Sequence, residues 1–314
     1  MPLAPQVSVV IVSWNTRELL RRCLLSIDAS GVVLETIVVD NASRDGSAEM
    51  VRSTFPDATV IVNDHNVGFG RANNQALARA QGKYVLLLNP DAQLEANALE
   101  RLVSTLERAP RAAVAGPLVM DSDGRIQPTR RRFPTVATMF VESTPIQTWL
   151  PPSHPLLGDY YVRDRADHEA QEADWLVGAC LLIRRVAFEQ VGGFDERFFM
   201  YFEETDWCRR AKEAGWSVVF QPAARARHLG GRSSDQVPAR RQCEFNESKC
   251  RYTRKWHGLI PALALRWFLF GVSVFQLAEE STKLLLGHKR ELRRARVNMW
   301  SHVLRWQASR LLST

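Results

Sequence analysis

Residues 7–13 read VSVVIVS, a run of β-branched and apolar residues that is typical of a strand buried on both faces of a parallel sheet. A helical pattern follows over residues 16–28, with apolar side chains at Leu20, Leu24 and Ile27. The alternation continues, with strands predicted at 36–40, 58–62, 83–88 and 112–120 and helices at 43–54, 69–81 and 97–108. This order predicts an α/β fold with a mostly parallel sheet and helices on both of its faces.

The second half of the chain is less regular. We predict a strand at 175–185, a helix at about 203–214 and a strand at 217–221. Residues 144–174 are rich in proline, tyrosine and charge, and we interpret them as a long surface loop or flap. The pattern predicts an α/β domain over residues 1–235 and a helical tail over residues 236–314.

Composition excludes several classes of protein. The 314 residues include 41 Lys or Arg, 34 Asp or Glu and 46% apolar residues, which excludes a disordered chain. Five scattered cysteines with no CxxC pair exclude a disulfide scaffold and a thiolate zinc site. The first twelve residues lack the basic start of a secretory signal. We therefore expect a cytoplasmic protein.

The tail differs from the body in charge. From residue 249 onward there are 13 Lys or Arg and 3 Asp or Glu, which indicates an anionic partner such as membrane lipid or nucleic acid. Residues 259–278 include 15 apolar residues of 20, but Pro261 and Arg266 count against a membrane-spanning helix. An amphipathic hairpin at the membrane surface fits better, and a helical pair packed on the body remains an alternative. No nucleic-acid-binding motif accompanies the charge, so we expect no nucleic-acid partner.

Polar residues follow the predicted strands, at the edge where parallel sheets bind ligands. Asp91 comes after the strand at 83–88, where its carboxylate could hold Mg²⁺ or Mn²⁺ against a diphosphate or could cap a turn. Asp40 ends an earlier strand and could bind a ribose or base, while Ser43 could instead cap the next helix.

Two further places could carry chemistry. Glu203, Glu204 and Asp206 stand at a predicted helix start, where the helix dipole alone favours acidic residues. Crowding of three carboxylates could also raise one pKa and make a general base. His228 could be a metal ligand or a structural histidine. Residues 68–73 (GFGRAN) lack the third glycine of a dinucleotide fingerprint and do not follow the first strand, which excludes NAD binding.

Taken in order, seven segments resemble the inverting family 2 glycosyltransferases of the GT-A fold, in a branch similar to bacterial rhamnosyltransferases of surface polysaccharide assembly. The segments are VSVVIVSWN (7–15), TIVVDNAS (36–43), NVGFGRANNQAL (66–77), YVLLLNPDA (84–92), WLVGACLLIRR (175–185), GGFDERFFMYFEETDWCRRAKEAGW (192–216) and ARHLGGRS (226–233). Each is weak singly, and their order over residues 7–234 makes the resemblance specific.

The resemblance implies a role for residues of each segment. By this resemblance, the residues expected to line the nucleotide pocket are Trp14, Asn15, Asp40 and Asn41. The residues expected to contact the nucleotide and the donor sugar are Asn66, Gly68 and Asn73. Gly178 and Ala179 are expected to border the donor sugar and the acceptor.

The resemblance also implies the metal site and the base. Asp91 is the metal-binding aspartate of a DxD-like motif whose first acidic position is Asn89 here, and His228 completes the site in some members. Glu204 stands where the family usually has the aspartate that acts as catalytic base, and Glu203 is a rival one position away.

The implied function is inverting, metal-dependent transfer of a sugar from a nucleoside diphosphate to a hydroxyl. The implied donor is dTDP-rhamnose or a UDP-sugar, and the implied acceptor is a lipid-linked glycan at the inner face of the cell membrane. A sugar nucleotidyltransferase, or a non-catalytic membrane scaffold of the same fold, is the alternative.

Overall fold

The computed structural model of the chain describes residues 5–28, 32–151, 153–230 and 234–311. The chain divides into two compact units. The first contains residues 1–133, 159–199 and 203–233, and the second contains residues 134–158, 200–202 and 234–314. The sequence placed residues 134–158 in the first domain, whereas here they group with the tail; the domain boundary at residue 235 stays a prediction.

Twelve strands occur in the described residues: β1 Val7–Ser13, β2 Leu34–Asp40, β3 Thr59–Val62, β4 Tyr84–Leu88, β5 Ala92–Leu94, β6 Ala112–Met120, β7 Ile126–Gln127, β8 Arg130–Arg131, β9 Gln171–Ala173, β10 Trp175–Leu176, β11 Cys180–Arg184 and β12 Ser217–His228.

The α-helices in the same residues are α1 Arg17–Asp28, α2 Ser47–Thr54, α3 Phe69–Leu77, α4 Ala98–Arg108, α5 Val136–Val141, α6 Pro145–Trp149, α7 Pro155–Tyr160, α8 Arg185–Val191, α9 Glu203–Glu213, α10 Pro238–His257, α11 Leu259–Leu285 and α12 Arg290–Ala308.

The first unit is built on one mixed sheet in the order β3-β2-β1-β4-β11-β6-β12-β5, with β7 beside β6 and β9 beside β12. Strands β3, β2, β1 and β4 are parallel, and β12 is parallel to β6. Strand β11 runs antiparallel between β4 and β6. The mostly parallel α/β sheet predicted from the alternating pattern is confirmed.

Helices cover both faces of this sheet, and β1 is therefore buried on both sides. Val9 and Ile11 pack with α1, α2 and α4 in one apolar cluster. Val10 and Val12 pack with α3, α8 and α9 in the other. Alternate residues of one strand thus fill two cores, as a buried parallel strand requires.

Three expectations about elements were wrong. The strand predicted at 217–221 continues through Pro222 to His228, because a register shift after Gln221 accommodates the missing N–H of proline. The strand predicted at 175–185 is two strands, since β10 pairs with β8 and the chain joins the main sheet only at Cys180. The loop or flap expected over 144–174 contains α6, α7 and β9.

The second unit holds α5, α6 and the three long helices α10, α11 and α12. Helix α11 buries Ala262, Leu265 and Leu269, and a tilted ring contact joins Phe268 to Phe140 of α5 with centroids 5.0 Å apart. Arg266, which counted against a membrane span, donates to Glu247 of α10 over 3.3 Å. Among the described helices, α11 alone is long and apolar enough to cross a membrane.

Candidate active site

The register of the sheet brings most of the predicted residues to one edge. Ser13 pairs with Asp40, so residues 14–15 and 40–41 leave the sheet side by side. Strand β4 is parallel to β1, so the Asn89–Asp91 turn follows at the same edge. Because β11 is antiparallel to β4 and Cys180 pairs with Leu88, Gly178 and Ala179 also lie there. His228 ends β12 at this edge, since β12 runs parallel to β6.

Asp91 and His228 form a buried pair. The Nε2 atom of His228 lies 3.2 Å from Oδ1 of Asp91 and 3.3 Å from Nδ2 of Asn89. The pairing of His228 with Ala92 between β12 and β5 fixes this approach, and the N–H of Leu229 donates to the carbonyl of Asp91. The structure therefore brings together the three residues that the resemblance assigned to one site. Residues 231–233 of the last motif lie outside the described residues.

Gln127, which the sequence did not single out, fixes the orientation of His228. Its Nε2 donates to the main-chain carbonyl of His228 over 2.8 Å, so its Oε1 is the atom that lies 3.1 Å from Nδ1. An amide oxygen accepts only, and Nδ1 must therefore carry the proton. The lone pair of a neutral His228 then points from Nε2 toward the carboxylate of Asp91.

This arrangement fits a cation. With Nδ1 as the protonated nitrogen, Nε2 of His228 and the Asp91 carboxylate would offer one nitrogen and one oxygen to a cation from neighbouring positions in a buried place. No cluster of three or more His, Cys, Asp or Glu able to hold a metal occurs in the described ranges. Mg²⁺ and Mn²⁺ prefer oxygen ligands, so the remaining positions would be filled by phosphate oxygens and water.

Glu203 and Glu204 begin α9 and are both buried at their carboxyl groups. Burial raises the pKa of Glu203 well above its usual value, and the neighbouring Glu204 raises it further. Burial also raises the pKa of Glu204, while main-chain N–H groups, that of Gly178 among them, act in the opposite direction. The Oε2 atoms of both residues have no hydrogen-bond partner within the described part of the chain. Asp206, the third carboxylate, pairs with Arg210 over 2.9 Å.

Glu204 is linked to the metal-side cluster through the break between β10 and β11. Its Oε1 accepts from the N–H of Gly178 over 3.4 Å, and the carbonyl of Ala179 accepts from the N–H of Asn89 over 3.0 Å. A side chain at position 178 would have its Cβ about 3.6 Å from this carboxylate oxygen. Gly178 thus packs directly against the buried carboxylate of Glu204, next to the turn that carries Asp91.

The proposed nucleotide side is held together by Ser43. The N–H of Asn15 donates to Oγ of Ser43 over 2.9 Å, and the N–H of Ser43 donates to Oδ1 of Asp40 over 2.6 Å. The alternative that Ser43 caps the next helix was wrong, because α2 begins at Ser47 with Gly46 as its N-cap. Trp14 stands next to Asn15, half-buried at the end of β1.

The other expected donor contacts serve the scaffold. Asn41 donates to Oδ1 of Asn66 over 2.9 Å and accepts from the N–H of Val67, which holds the loop before α3. Asn73 is buried, and its Nδ2 donates to the carbonyl of Phe69 within α3. Gly68 has φ +92°, and a Cβ there would lie 2.5 Å from the carbonyl oxygen of Phe199. A direct role of Asn41, Asn66, Gly68 or Asn73 on a donor stays a prediction.

Two features of the site carry no sequence signal that we used. Gln127 lies 101 residues from His228 in a two-residue strand. Tyr201 and Phe202, directly before Glu203, have φ values of 71° and 66°, a conformation that bulky residues rarely adopt and that clusters at functional sites. A lone glutamine has no pattern that marks it. Tyr201 and Phe202 belong to the segment 192–216 that carries the resemblance, but their φ values cannot be deduced from residue type.

The sheet order, with a carboxylate after β4 and acidic residues at the start of α9, defines an α/β protein whose polar residues gather at the carboxyl ends of its parallel strands, where such sheets bind ligands. The profile described as glycosyl transferase family 2 matches residues 8–192, and the chain belongs to this family. It is therefore a glycosyltransferase, and the resemblance found in the sequence is confirmed.

Its relatives include rhamnosyltransferases. The N-acetylglucosaminyl-diphospho-decaprenol L-rhamnosyltransferase of Mycobacterium tuberculosis (strain H37Rv) is 30% identical over 303 residues, which cover 93% of this chain and 96% of the relative. Rhamnosyltransferase WbbL of Escherichia coli (strain K12) is 26% identical over 231 residues, covering 71% and 83%.

Solved structures share the fold. The mannosyltransferase PcManGT from Pyrobaculum calidifontis, in complex with GDP-Man and Mn²⁺, superposes with a TM-score of 0.57 at 20% identity, covering 99% of this chain and 88% of that one. TarS of S. aureus superposes with a TM-score of 0.53 at 15% identity, covering 97% and 90%. The expected GT-A fold is confirmed.

Proposed function

We propose that this glycosyltransferase moves a sugar from a nucleoside diphosphate to a hydroxyl of a lipid-linked or polysaccharide acceptor in cell-surface glycan assembly. L-Rhamnose from dTDP-rhamnose is the first candidate, and the sugar of a UDP-sugar is the second. The observation that carries the proposal is the meeting of the Asp91–His228 pair and Glu204 at one edge of the sheet. The name of the mycobacterial relative, which describes a lipid-diphosphate sugar acceptor, supports the class of acceptor.

Asp91 and His228 are the residues that would hold a divalent cation, Mg²⁺ or Mn²⁺. When bound there, the cation supplies neutralisation of the charge that develops on a departing nucleoside diphosphate. Asn89 in place of an aspartate leaves this site with one carboxylate, so its affinity for metal depends on the phosphates of the donor. His228 can bind the cation through Nε2 only while its proton is on Nδ1, where the hydrogen bond to Gln127 holds it.

Glu204 is the proposed general base. Its raised pKa brings it closer to the operating pH, as a base that must take a proton from a sugar hydroxyl requires. The N–H of Gly178 orients Oε1, and the unpartnered Oε2 is left to accept the proton. The deprotonated acceptor hydroxyl then attacks the anomeric carbon in line, the bond to the nucleoside diphosphate breaks, and one displacement inverts the configuration. Glu203 is the rival base, with its own buried Oε2.

The strand ends of β1 and β2 form the proposed nucleotide pocket. Trp14 offers an apolar ring, and Asn15 and Asp40 are pre-positioned by Ser43. Such pre-positioned polar groups bind a ribose or a base without further ordering. We place the protein in the cytoplasm, peripheral on the inner face of the cell membrane, where a lipid-linked acceptor is accessible.

Transfer assays with labelled donor and a lipid-diphosphate acceptor test the proposal. We expect Asp91→Ala to abolish both metal-dependent donor binding and transfer. Glu204→Gln slows transfer by about 10²–10⁴-fold and leaves donor binding near wild type. Asp123→Ala, at an exposed carboxylate in the turn before β7, is the matched control and keeps full activity.

Three results would contradict parts of the account. Full activity of Asp91→Ala removes the metal role of Asp91. If Glu203→Gln shows the kinetics expected of Glu204→Gln, the base is Glu203. A product with retained anomeric configuration, read from its proton spectrum, excludes a single displacement.

A further inference from the structure

One face of α11 is exposed and uncharged along nearly its full length. The residues that define this face recur every three or four positions and are Ile260, Ala264, Trp267, Gly271, Val274 and Ala278. Ile260 is 81% exposed and Trp267 is 51% exposed. The helix has 27 residues, or about 40 Å, and ends in the exposed Leu285. A continuous exposed apolar stripe of this length marks an interaction surface.

The opposite side of α11 is already occupied. Arg266 donates to Glu247 of α10, and Glu280 accepts from Arg293 and Arg296 of α12. Glu280 is 3% exposed. Within the described residues, the uncharged face is the side of α11 left to meet a partner, and the helix cannot enter a bilayer from all sides without breaking these ion pairs.

A second element extends the uncharged face. The ring of Trp149, at the end of α6, lies edge-on against Phe275 with centroids 6.1 Å apart, and Trp149 is 67% exposed. Amphipathic rings of this kind are enriched where a protein meets the membrane–water boundary. Phe275 adjoins Val274 of the uncharged face, so the two tryptophans belong to one surface.

Basic side chains lie at both ends of this helix. Arg254 and Lys255 are exposed in the last turn of α10. Gly258 alone connects α10 to Leu259, the first residue of α11. At the other end, Lys289, Arg290 and Arg294 are exposed at the start of α12. Positive charge at both ends of an apolar stripe, with Glu291 the one exposed acidic residue at the start of α12, complements an anionic lipid surface.

We propose that the uncharged face of α11, extended by Trp149, lies in the plane of an anionic lipid bilayer and docks the chain there without crossing it. This deepens the proposed function, on which it rests for the presence of a lipid-linked acceptor. A second copy of the chain is the other candidate occupant. Either orientation of two such faces would set two basic ends against each other, which disfavours that pairing.

Vesicle flotation of the full chain tests the inference, with vesicles of phosphatidylcholine alone and mixed with phosphatidylglycerol. We expect binding that needs phosphatidylglycerol, weakens at high salt and is reversed by alkaline carbonate. Trp267→Glu combined with Val274→Glu lowers the partition coefficient by about tenfold or more, since two apolar side chains no longer enter the lipid. Asn298→Glu with His302→Glu, which adds the same charge at exposed positions of α12, keeps binding within about twofold of wild type.

Other outcomes overturn the inference. Equal vesicle binding by the α11 variant and the wild type would show that this face does not contact the lipid. Vesicle binding that resists alkaline carbonate would show that the helix spans the bilayer. A wild-type dimer that the α11 variant converts to monomers, with no vesicle binding, assigns the face to a second copy. Binding of a nucleoside diphosphate to the wild type is measured in parallel. If the wild type binds none, the proposed function is contradicted, whereas the vesicle result concerns the docking face alone.

Discussion

Gln127 shows how one neutral side chain sets the chemistry of the site. It donates to the carbonyl of His228 and accepts from Nδ1 of the same residue. Gln127→Leu removes both bonds and leaves the imidazole free to change tautomer, so we expect the Mn²⁺ affinity of the nucleotide complex to fall about 10–100-fold. Mn²⁺ titration followed by electron paramagnetic resonance measures this.

The control for Gln127 is the same substitution at Gln242, whose amide bonds Asn246 on α10. Thermal unfolding without metal shows whether either variant has lost its fold. Unchanged Mn²⁺ affinity in a folded Gln127→Leu would show that the tautomer of His228 does not matter for binding.

Glu203 links the site to stability. Burial and Glu204 raise the pKa of Glu203, so the folded state prefers the neutral acid. The associated stability is present below the usual pKa of a glutamate and is lost as the pH rises through the raised value. We expect Glu203→Gln to melt higher than wild type at about pH 8, with the difference shrinking toward about pH 5. Scanning calorimetry across this range checks it, and Glu213→Gln, exposed at the end of α9, should show no such trend.

At the level of residues, the sequence could indicate the groups that have a position relative to a strand. Asp91 follows β4 and was expected at the ligand-binding edge, and His228 was a candidate although its strand was predicted too short. Their partner Gln127 could not be found, because its role depends on a contact across 101 residues. The alternative that Ser43 caps its own helix was wrong because its hydroxyl bonds Asn15, in another loop.

At the start of α3, a substitution of Gly68 shows how closely the loop before the helix packs against Phe199. Its φ of +92° is strained for other residues, and an added Cβ would meet the main chain of Phe199. We expect Gly68→Ala to lower the free energy of unfolding by about 2–3 kcal/mol. Gly124→Ala is the matched control, because φ is +78° there and no heavy atom of the described residues lies within 4 Å of the new Cβ; its cost should stay near 1 kcal/mol. Urea unfolding gives both values, and equal losses would show that the approach to Phe199 is not tight.

The contact between α11 and α12 depends on the buried Glu280. Burial acts against the charged form, but the hydrogen bonds from Arg293 and Arg296 hold the pKa of Glu280 below its usual value. Its stabilisation is therefore present at neutral pH and is lost as the pH falls through the lowered value. We expect Glu280→Gln to cost about 3 kcal/mol near pH 7 and less in acid. Chemical denaturation monitored on the helical signal measures the loss.

Glu279 provides the comparison for Glu280. It is the adjacent residue, and its pair with Lys283 is more than a third exposed, so Glu279→Gln should change stability by less than about 0.5 kcal/mol. If the two variants lose equal stability, the buried cluster between α11 and α12 does not hold the helices together.

Elements with a clear period were predictable, and elements shaped by distant partners were not. The run VSVVIVS forms β1 at the predicted bounds because every residue of it is buried. Strand β10 ends at Leu176 because it pairs with β8 in a separate small sheet, a contact that no local pattern encodes. Helices α6 and α7 are only five and six residues long, too short for a helical period to appear in a proline-rich stretch.

In the whole molecule, charge and chemistry are separated between the two units. The candidate site lies in the first unit, on the sheet. The basic tail lies in the second, where α10, α11 and α12 leave one uncharged face exposed. The sequence indicated this separation through its charge asymmetry, but it predicted an amphipathic hairpin, with a helical pair as the alternative, where the structure has three long helices. It also did not assign residues 134–158 to the same unit.

The central claim for the molecule is that Asp91 and His228 hold the cation that a nucleoside diphosphate brings to the site. Pulsed electron paramagnetic resonance of Mn²⁺ bound with nucleoside diphosphate to the full chain, labelled with ¹⁵N-histidine, tests it most directly. The account predicts hyperfine coupling from one directly bound imidazole nitrogen, which His228→Ala abolishes. Bound Mn²⁺ with no histidine coupling, or coupling that persists in His228→Ala, would contradict it.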